Sequence, residues 1–217
     1  MVDEESRMHT LPVSKFSGTF SIIAISPDSR LMGIAVASGS TSVGYRVPHA
    51  KPGIGVIATQ AYTNVDYGIN GLELLSRGLS SSEVLNKLLE EDPERNLRQV
   101  AIMDFKRRKA AFTGANVSMH RAEIVGKDYI AIGNLLLKKE VTSNMAQQFK
   151  SSSGDLALRL TKALKAGSQS GGDKRGEKSA ALIVISTERV EIEIRVGTHA
   201  NPIEELLRQL KNLVKAT

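Results

Sequence analysis

The stretch GTFSIIAIS, residues 18–26, decides the fold, because a glycine and a threonine open a nearly continuous apolar run. β-Branched and apolar residues dominate this run, which is typical of a strand buried on both faces. PDSR at residues 27–30 has turn chemistry, and LMGIAVA at residues 31–37 predicts a second strand. GIGVIATQ at residues 53–60 predicts a third. The first 60 residues therefore predict a strand meander.

Helical periodicity begins after the third predicted strand. Apolar residues at helical spacing predict two helices, and serines at residues 80–82 offer N-caps for the second. Strands, two more helices and two strands follow, and Asn201 and Pro202 open a closing helix. The predicted helices cover residues 65–79, 83–91, 141–150 and 155–166, and the later strands cover residues 98–105, 109–113, 123–125, 129–132, 180–186 and 190–196.

This order of elements predicts the fold class. We expect an α/β (α+β) protein with two mainly antiparallel sheets packed face to face and helices on both outer faces, a four-layer αββα sandwich. A doubly wound parallel fold would need strands and helices to alternate singly, and this sequence does not show that order. A chain of 217 residues is long enough for one core. We expect one domain over residues 19–217, preceded by an N-terminal extension or propeptide at residues 1–18.

The composition argues against several classes of protein. The chain has no cysteine, which excludes disulfides, thiolate zinc sites and cysteine nucleophiles. Its four histidines lack metal-binding spacing, so we expect no metal and no cofactor. The net charge of +6 is scattered and aromatic residues are only 4%, which argues against nucleic-acid binding. Without a spanning apolar run or a secretory signal, the sequence predicts a cytoplasmic protein with no membrane partner.

A glycine-rich segment, GSQSGGDKRG at residues 167–176, is the strongest local motif. It is not a phosphate-binding P-loop, because an aspartate separates the glycines from the lysine and the segment runs from a helix into a strand. Its flexible backbone, exposed N–H groups and two cations suit a carboxylate or an oxyanion, although a solvated turn is the alternative. The candidate substrate-binding residues here are Gly171, Gly172, Asp173, Lys174 and Arg175.

The junction between Gly18 and Thr19 offers a nucleophile. A threonine that opens a strand is usually only a β-branched residue in a favourable place. If the chain is cut at this junction, however, Thr19 gains a free α-amine with a pKa of about 7.7–8.0. That amine can accept the proton of the threonine's own hydroxyl, so that nucleophile and base belong to one residue. Glycine at position 18 also permits the strained backbone that an N-to-O acyl shift needs.

Several motifs carry a family resemblance over about residues 19–213, among them TFSIIA at 19–24, GIGVIATQAYTN at 53–64 and GGDKRG at 171–176. They are similar to the family called domain of unknown function 1028, which resembles the N-terminal-nucleophile (Ntn) hydrolases. The resemblance implies an Ntn-type αββα fold and makes Thr19 the best candidate for a nucleophile, but it does not supply the reaction. In that family the TFSI start commonly lies at or just after the initiator methionine, whereas here residues 1–18 precede it.

Supporting residues are assigned by position. Lys51 lies 32 positions after Thr19, the separation at which proteasome-type subunits place the lysine that lowers the pKa of the nucleophile, so we expect it to be catalytic. The residues around it do not otherwise match those subunits, and a coincidence of spacing is the alternative. Three further candidates lie where the third predicted strand ends and the first helix begins: Gln60, Thr63 and Asn64. Substrate contacts are common at such positions, although helix capping is the alternative for Thr63 and Asn64.

Two functions remain open at this point. The first is an amide hydrolase acting on a small amide or peptide-like substrate after loss of residues 1–18. The second is a non-catalytic Ntn-fold protein that binds a ligand or assembles while its nucleophile stays blocked. In either case we expect a homo-oligomer.

Overall fold

The computed structural model describes residues 18–118 and 120–216, which contain ten strands, five α-helices and two short 3-10 helices, Val43–Tyr45 and Arg95–Leu97. The strands are β1 (Thr19–Ile25), β2 (Met32–Ser38), β3 (Pro48–Lys51), β4 (Gly55–Ala61), β5 (Arg98–Asp104), β6 (Lys109–Thr113), β7 (Ala122–Val125), β8 (Tyr129–Asn134), β9 (Ser179–Ile185) and β10 (Val190–Val196). The helices are α1 (Asp66–Ser76), α2 (Ser81–Glu90), α3 (Glu140–Ser151), α4 (Leu156–Gln169) and α5 (Pro202–Ala216).

The strands form two antiparallel sheets. One has six strands in the order β10-β9-β2-β1-β8-β7, and the other has four strands in the order β3-β4-β5-β6. β1 therefore lies in the interior of the larger sheet, with β2 on one side and β8 on the other. Both edges of β1 are therefore hydrogen-bonded to neighbouring strands.

Three separate apolar cores define four layers. Phe20 and Ile22 of β1 pack with the helices that cover the six-stranded sheet, α3, α4 and α5. Ile23 and Ile25, on the other face of β1, belong to the core between the two sheets. Residues of α1 and α2, such as Tyr67, form the third core against the four-stranded sheet. The predicted four-layer αββα sandwich is thereby confirmed, and so is the burial of β1 on both faces.

One strand escapes the sequence pattern. β3 has only four residues, PHAK, and it lies at the edge of the four-stranded sheet against β4. Proline is tolerated there because an edge strand need not donate a ladder hydrogen bond on its outer side. The run carries no two-residue apolar alternation, so the sequence does not reveal it.

Local signals at the helix ends are borne out at α2. Ser80 Oγ accepts the Glu83 N–H, and the Glu83 carboxylate accepts the Ser80 N–H at 2.7 Å, which together form a capping box.

No helix within residues 18–118 and 120–216 is long and apolar enough to cross a membrane.

Candidate active site

A row of polar residues crosses one end of the six-stranded sheet. The antiparallel register places Thr19 of β1 beside Ser38 of β2 and Asn134 of β8, and Ser38 beside Ser179 of β9. All four side chains are buried. Buried hydroxyl and amide groups need hydrogen-bond partners, so a polar row at the end of otherwise apolar strands indicates a candidate functional site.

The hydroxyl of Thr19 begins a short hydrogen-bond chain. Thr19 Oγ1 donates to Ser38 Oγ at 3.2 Å, and the Ser38 hydroxyl donates to the carbonyl oxygen of Gly18 at 2.6 Å. The same carbonyl oxygen lies 3.2 Å from Nη2 of Arg175. Two donors, one of them cationic, therefore polarise the carbonyl group immediately before Thr19.

Asp173 orients that arginine. Its side chain is fully buried, and Oδ2 accepts the Gly39 N–H at 2.7 Å and Nη2 of Arg175 at 2.8 Å. Oδ1 accepts the backbone N–H of Arg175 at 2.9 Å and its Nε at 3.1 Å. Charge-assisted bonds of this fork type fix the plane of the guanidinium, so Asp173 positions Arg175 against the Gly18 carbonyl.

A buried amide network holds the backbone of Thr19 from the opposite sheet. Gln60 Nε2 donates to the Thr19 carbonyl oxygen at 3.1 Å, and Gln60 Oε1 accepts the Ser21 hydroxyl at 2.6 Å. Gln60 also donates to Gln99 Oε1 at 2.8 Å, and Asn134 donates to that same oxygen at 3.0 Å. Gln60 is thus brought to Thr19, where it holds the strand from the interior of the protein.

A buried ion pair lies at the same end of the four-stranded sheet. Arg98 Nε contacts Asp92 Oδ2 at 2.7 Å, and Tyr67 donates its hydroxyl to that oxygen at 2.9 Å. Burial alone would raise the pKa of the Asp92 carboxyl, but hydrogen bonds from Arg98, the Glu94 backbone N–H and Tyr67 outweigh it, so the net pKa is lowered. The pKa of Tyr67 is raised mainly by burial and, to a smaller extent, by its hydrogen bond to Asp92.

Lys51 is not brought to Thr19. It pairs with Gly55 at one end of β4, whereas Gln60, which contacts Thr19, lies near the other end. At about 3.3 Å per residue, these two positions on β4 are about 17 Å apart. The Lys51 ammonium is exposed and donates to Ser76 Oγ at 3.0 Å. The separation of 32 positions therefore does not produce the proteasome-type arrangement.

The loop between β4 and α1 carries the other two residues expected to contact substrate. Thr63 and Asn64 are half-buried. Asn64 Oδ1 accepts the Asp66 N–H at 3.0 Å, and the Asn64 carbonyl oxygen accepts the Thr59 hydroxyl at 2.9 Å. For Asn64 the contacts thus correspond to the capping alternative, because its side chain bonds the first turn of α1.

The glycine pair ends a helix. Gly171 N–H donates to the Ser168 carbonyl at 3.0 Å and Gly172 N–H to the Gly167 carbonyl at 3.1 Å, a Schellman motif that ends α4. Both glycines have positive φ, +125° and +50°, which L-residues rarely adopt. The expectation that these N–H groups bind an oxyanion needs correction, because they are already bonded within the protein.

The two cations of the segment differ in their surroundings. The Arg175 guanidinium contacts Asp173 and the Gly18 carbonyl oxygen. Lys174 is exposed, and its backbone N–H donates to the Leu135 carbonyl oxygen at 3.0 Å. Of the segment's predicted binding residues, the structure brings Asp173 and Arg175 to Gly18, directly before Thr19.

Ser38 is one residue of this site that the sequence motifs did not single out. It is the last residue of β2, directly before Gly39 and Ser40. An antiparallel hairpin places the end of its second strand beside the start of its first, so Ser38 pairs with Thr19. Counting residues outward from the turn between β1 and β2, along both strands, would have identified Ser38 as the partner of Thr19.

The fold and site define a four-layer αββα protein with a buried threonine at the start of a central strand. Residues 19–206 match the family of unknown function DUF1028, and the chain belongs to this family. The chain is similar in structure to protein SPO2555 of Silicibacter pomeroyi, a DUF1028 protein, with a TM-score of 0.84 and 31% identity over 90% of this chain and 88% of that one.

A second solved structure is similar at a lower level. It is Anbu, an ancestral beta-subunit from Yersinia bercovieri, with a TM-score of 0.44 and 11% identity over 91% of this chain and 95% of that one. No curated protein matches the chain.

Proposed function

We propose that the protein is an N-terminal-nucleophile amide hydrolase in which Thr19 acts after removal of residues 1–18. One observation carries this proposal. The Thr19 hydroxyl, the Ser38 hydroxyl and the Gly18 carbonyl form one hydrogen-bond chain, and Arg175 contacts the same carbonyl oxygen. These groups supply a hydroxyl nucleophile, the carbonyl group that it attacks and two donors to the developing oxyanion.

The first step is cleavage of the chain itself. Thr19 Oγ1 attacks the Gly18 carbonyl carbon, and negative charge develops on the Gly18 oxygen, where Ser38 and Arg175 donate. The bond from that carbon to the Thr19 nitrogen then breaks, and the hydroxyl proton moves to the nitrogen. Water hydrolyses the resulting ester and releases residues 1–18 as a carboxylic acid. Thr19 is left with a free amine and a free hydroxyl.

The second step repeats this chemistry on a separate substrate. The free α-amine of Thr19, with a pKa of about 7.7–8.0, accepts the hydroxyl proton while Oγ1 attacks the substrate carbonyl. The proton passes to the departing amine, and water hydrolyses the acyl ester to the acid. Ser38 and Arg175 donate hydrogen bonds to the oxyanion of the substrate, which takes the place of the Gly18 carbonyl oxygen of the intact chain. A small amide or peptide-like compound is the proposed substrate.

Intact-mass measurement and N-terminal sequencing of the purified protein test the proposal. We expect a chain that begins at Thr19, lighter than the 217-residue chain by the mass of residues 1–18. A protein that stays at full length after prolonged incubation would contradict the proposal. That result would favour a non-catalytic Ntn-fold binding or assembly protein, because the amine of Thr19 would remain in a peptide bond.

Replacement of Arg175 by alanine should slow cleavage at Gly18–Thr19 by about 10²-fold, since it removes one of the two donors to the developing oxyanion. The measurement is a time course of intact mass after synthesis in a cell-free system. Arg30→Ala is a matched control, because Arg30 pairs with Asp28 two residues before it, as Arg175 pairs with Asp173. Equal cleavage rates in both variants would remove Arg175 from the mechanism.

A further inference from the structure

The space that Gly18 occupies has a shape that selects the acyl group. We infer that the acyl subsite beside Thr19 takes N-acylglycyl amides and excludes acyl groups with an L-side chain on the α-carbon. This inference rests on the proposed function, because the Gly18 residue of the intact chain stands for the acyl group of a substrate. Gly18 is itself buried, so its surroundings are the walls of that subsite.

Asp173 forms the wall that faces the Gly18 α-carbon. A β-carbon built at position 18 would lie 2.6 Å from Asp173 Oδ2, 2.8 Å from Cγ and 2.9 Å from Oδ1. Real β-carbons essentially never approach other atoms within 3.0 Å, so the whole carboxylate would have to move. Even an alanyl group is thus too large for this wall.

The carboxylate has little freedom to move away. It accepts hydrogen bonds from the Gly39 N–H and from three N–H groups of Arg175, and its side chain is fully buried. Gly39 also packs against it, since a β-carbon at position 39 would lie 2.8 Å from Oδ2. Asp173 is therefore enclosed between two glycines, and a shift would break its bonds to Arg175.

The same bonds determine how a substrate is recognised. Each carboxylate oxygen of Asp173 already accepts two protein donors, so the group acts as a wall and does not serve as a partner for a free α-ammonium. The nitrogen of Gly18 is joined to the preceding residue, so the matching substrate has an acylated nitrogen. The carbonyl oxygen is held by Ser38 and Arg175, which gives three criteria that an N-acylglycyl amide meets.

The direct test compares two fluorogenic amides on the cleaved wild-type protein. N-acetylglycyl and N-acetyl-L-alanyl amides of 7-amino-4-methylcoumarin differ only by the methyl group that would meet Asp173. We expect kcat/KM for the glycyl amide to be at least about tenfold higher, corresponding to about 1.4 kcal/mol. Equal values, or faster hydrolysis of the alanyl amide, would overturn the inference while leaving the proposed hydrolase intact.

A second test does not depend on catalysis. In full-length protein carrying Thr19→Ala, the further change Gly18→Ala should lower the thermal unfolding midpoint by about 4 °C or more, because the methyl group meets Asp173. Gly197→Ala is the matched control, since a β-carbon there meets only Ser42 Oγ at 3.7 Å. Equal midpoints for both changes would show that the subsite accepts a side chain and would overturn the inference, even in a chain that never cleaves itself.

Discussion

Thr19→Ala should leave the protein as an uncut chain and lower its amide hydrolysis by about 10³-fold or more. The substitution removes the hydroxyl that begins the hydrogen-bond chain to Ser38 and the Gly18 carbonyl, so neither the N-to-O shift nor attack on a substrate can occur. Intact mass reports the first effect, and release of 7-amino-4-methylcoumarin from the N-acetylglycyl amide reports the second.

Two controls separate loss of the nucleophile from loss of the fold. Thr19→Ser keeps a hydroxyl beside Ser38, and we expect it to cleave itself. Thr161→Ala removes another fully buried threonine, whose hydroxyl donates to the Ala157 carbonyl inside α4. It should cleave at the wild-type rate. A Thr19→Ala chain that still begins at residue 19 after purification would rule out Thr19 as the nucleophile of cleavage.

Asp92→Ala should destabilise the protein by about 3–5 kcal/mol at neutral pH, because it leaves the Arg98 guanidinium buried without its main partner. The Arg98 side chain is 5% exposed, and its remaining acidic partner, Glu94, lies mostly in solvent. Urea unfolding at pH 7 measures the change. Glu73→Ala is the comparison, since the Glu73–Arg77 pair is exposed at the C-terminal end of α1 and should contribute less than about 1 kcal/mol.

The pH dependence of this difference follows from the lowered pKa of Asp92. A carboxyl with a depressed folded-state pKa stabilises the protein fully above its unfolded value, about 3.9, and this contribution is lost as the pH falls through the folded-state pKa. The gap in unfolding free energy between wild type and Asp92→Ala should therefore be widest above about pH 5 and narrow below pH 4. A gap that stays constant from pH 7 to pH 3 would show that folding does not lower the pKa of Asp92.

The architecture was accessible from the sequence because most of its elements have strong patterns. β1 and β9 are nearly continuous apolar runs, and helices such as α2 have a cap and an apolar face. The order of these elements then leaves few ways to bury every apolar surface. β3 is the exception, since its four residues form an edge strand without a pattern.

The candidate site could be predicted from the sequence only in part, because the hydrogen-bond partner of a side chain depends on strand register and on the orientation of that side chain. The position of Thr19 at the start of a buried strand is visible in the sequence, and so is the motif containing Asp173 and Arg175. The sequence does not show which backbone N–H groups of that motif are available to a ligand. Those of Gly171 and Gly172 are not available, because they donate to carbonyl groups at the end of α4. Spacing alone also misplaces Lys51, since it is the last residue of β3, a strand that runs away from the end of β4 where Gln60 contacts Thr19.

The amide network beneath β1 has a consequence for the ends of the molecule. Chain termini usually fray, because a terminal residue has neighbours on one side only. A chain that began at Thr19 would differ, since Gln60 holds the first carbonyl group while β2 and β8 flank the strand on both sides. We therefore expect the new terminus to give slow amide exchange from its second or third residue onward. A nucleophile at the end of the chain would then be as well ordered as one in the middle.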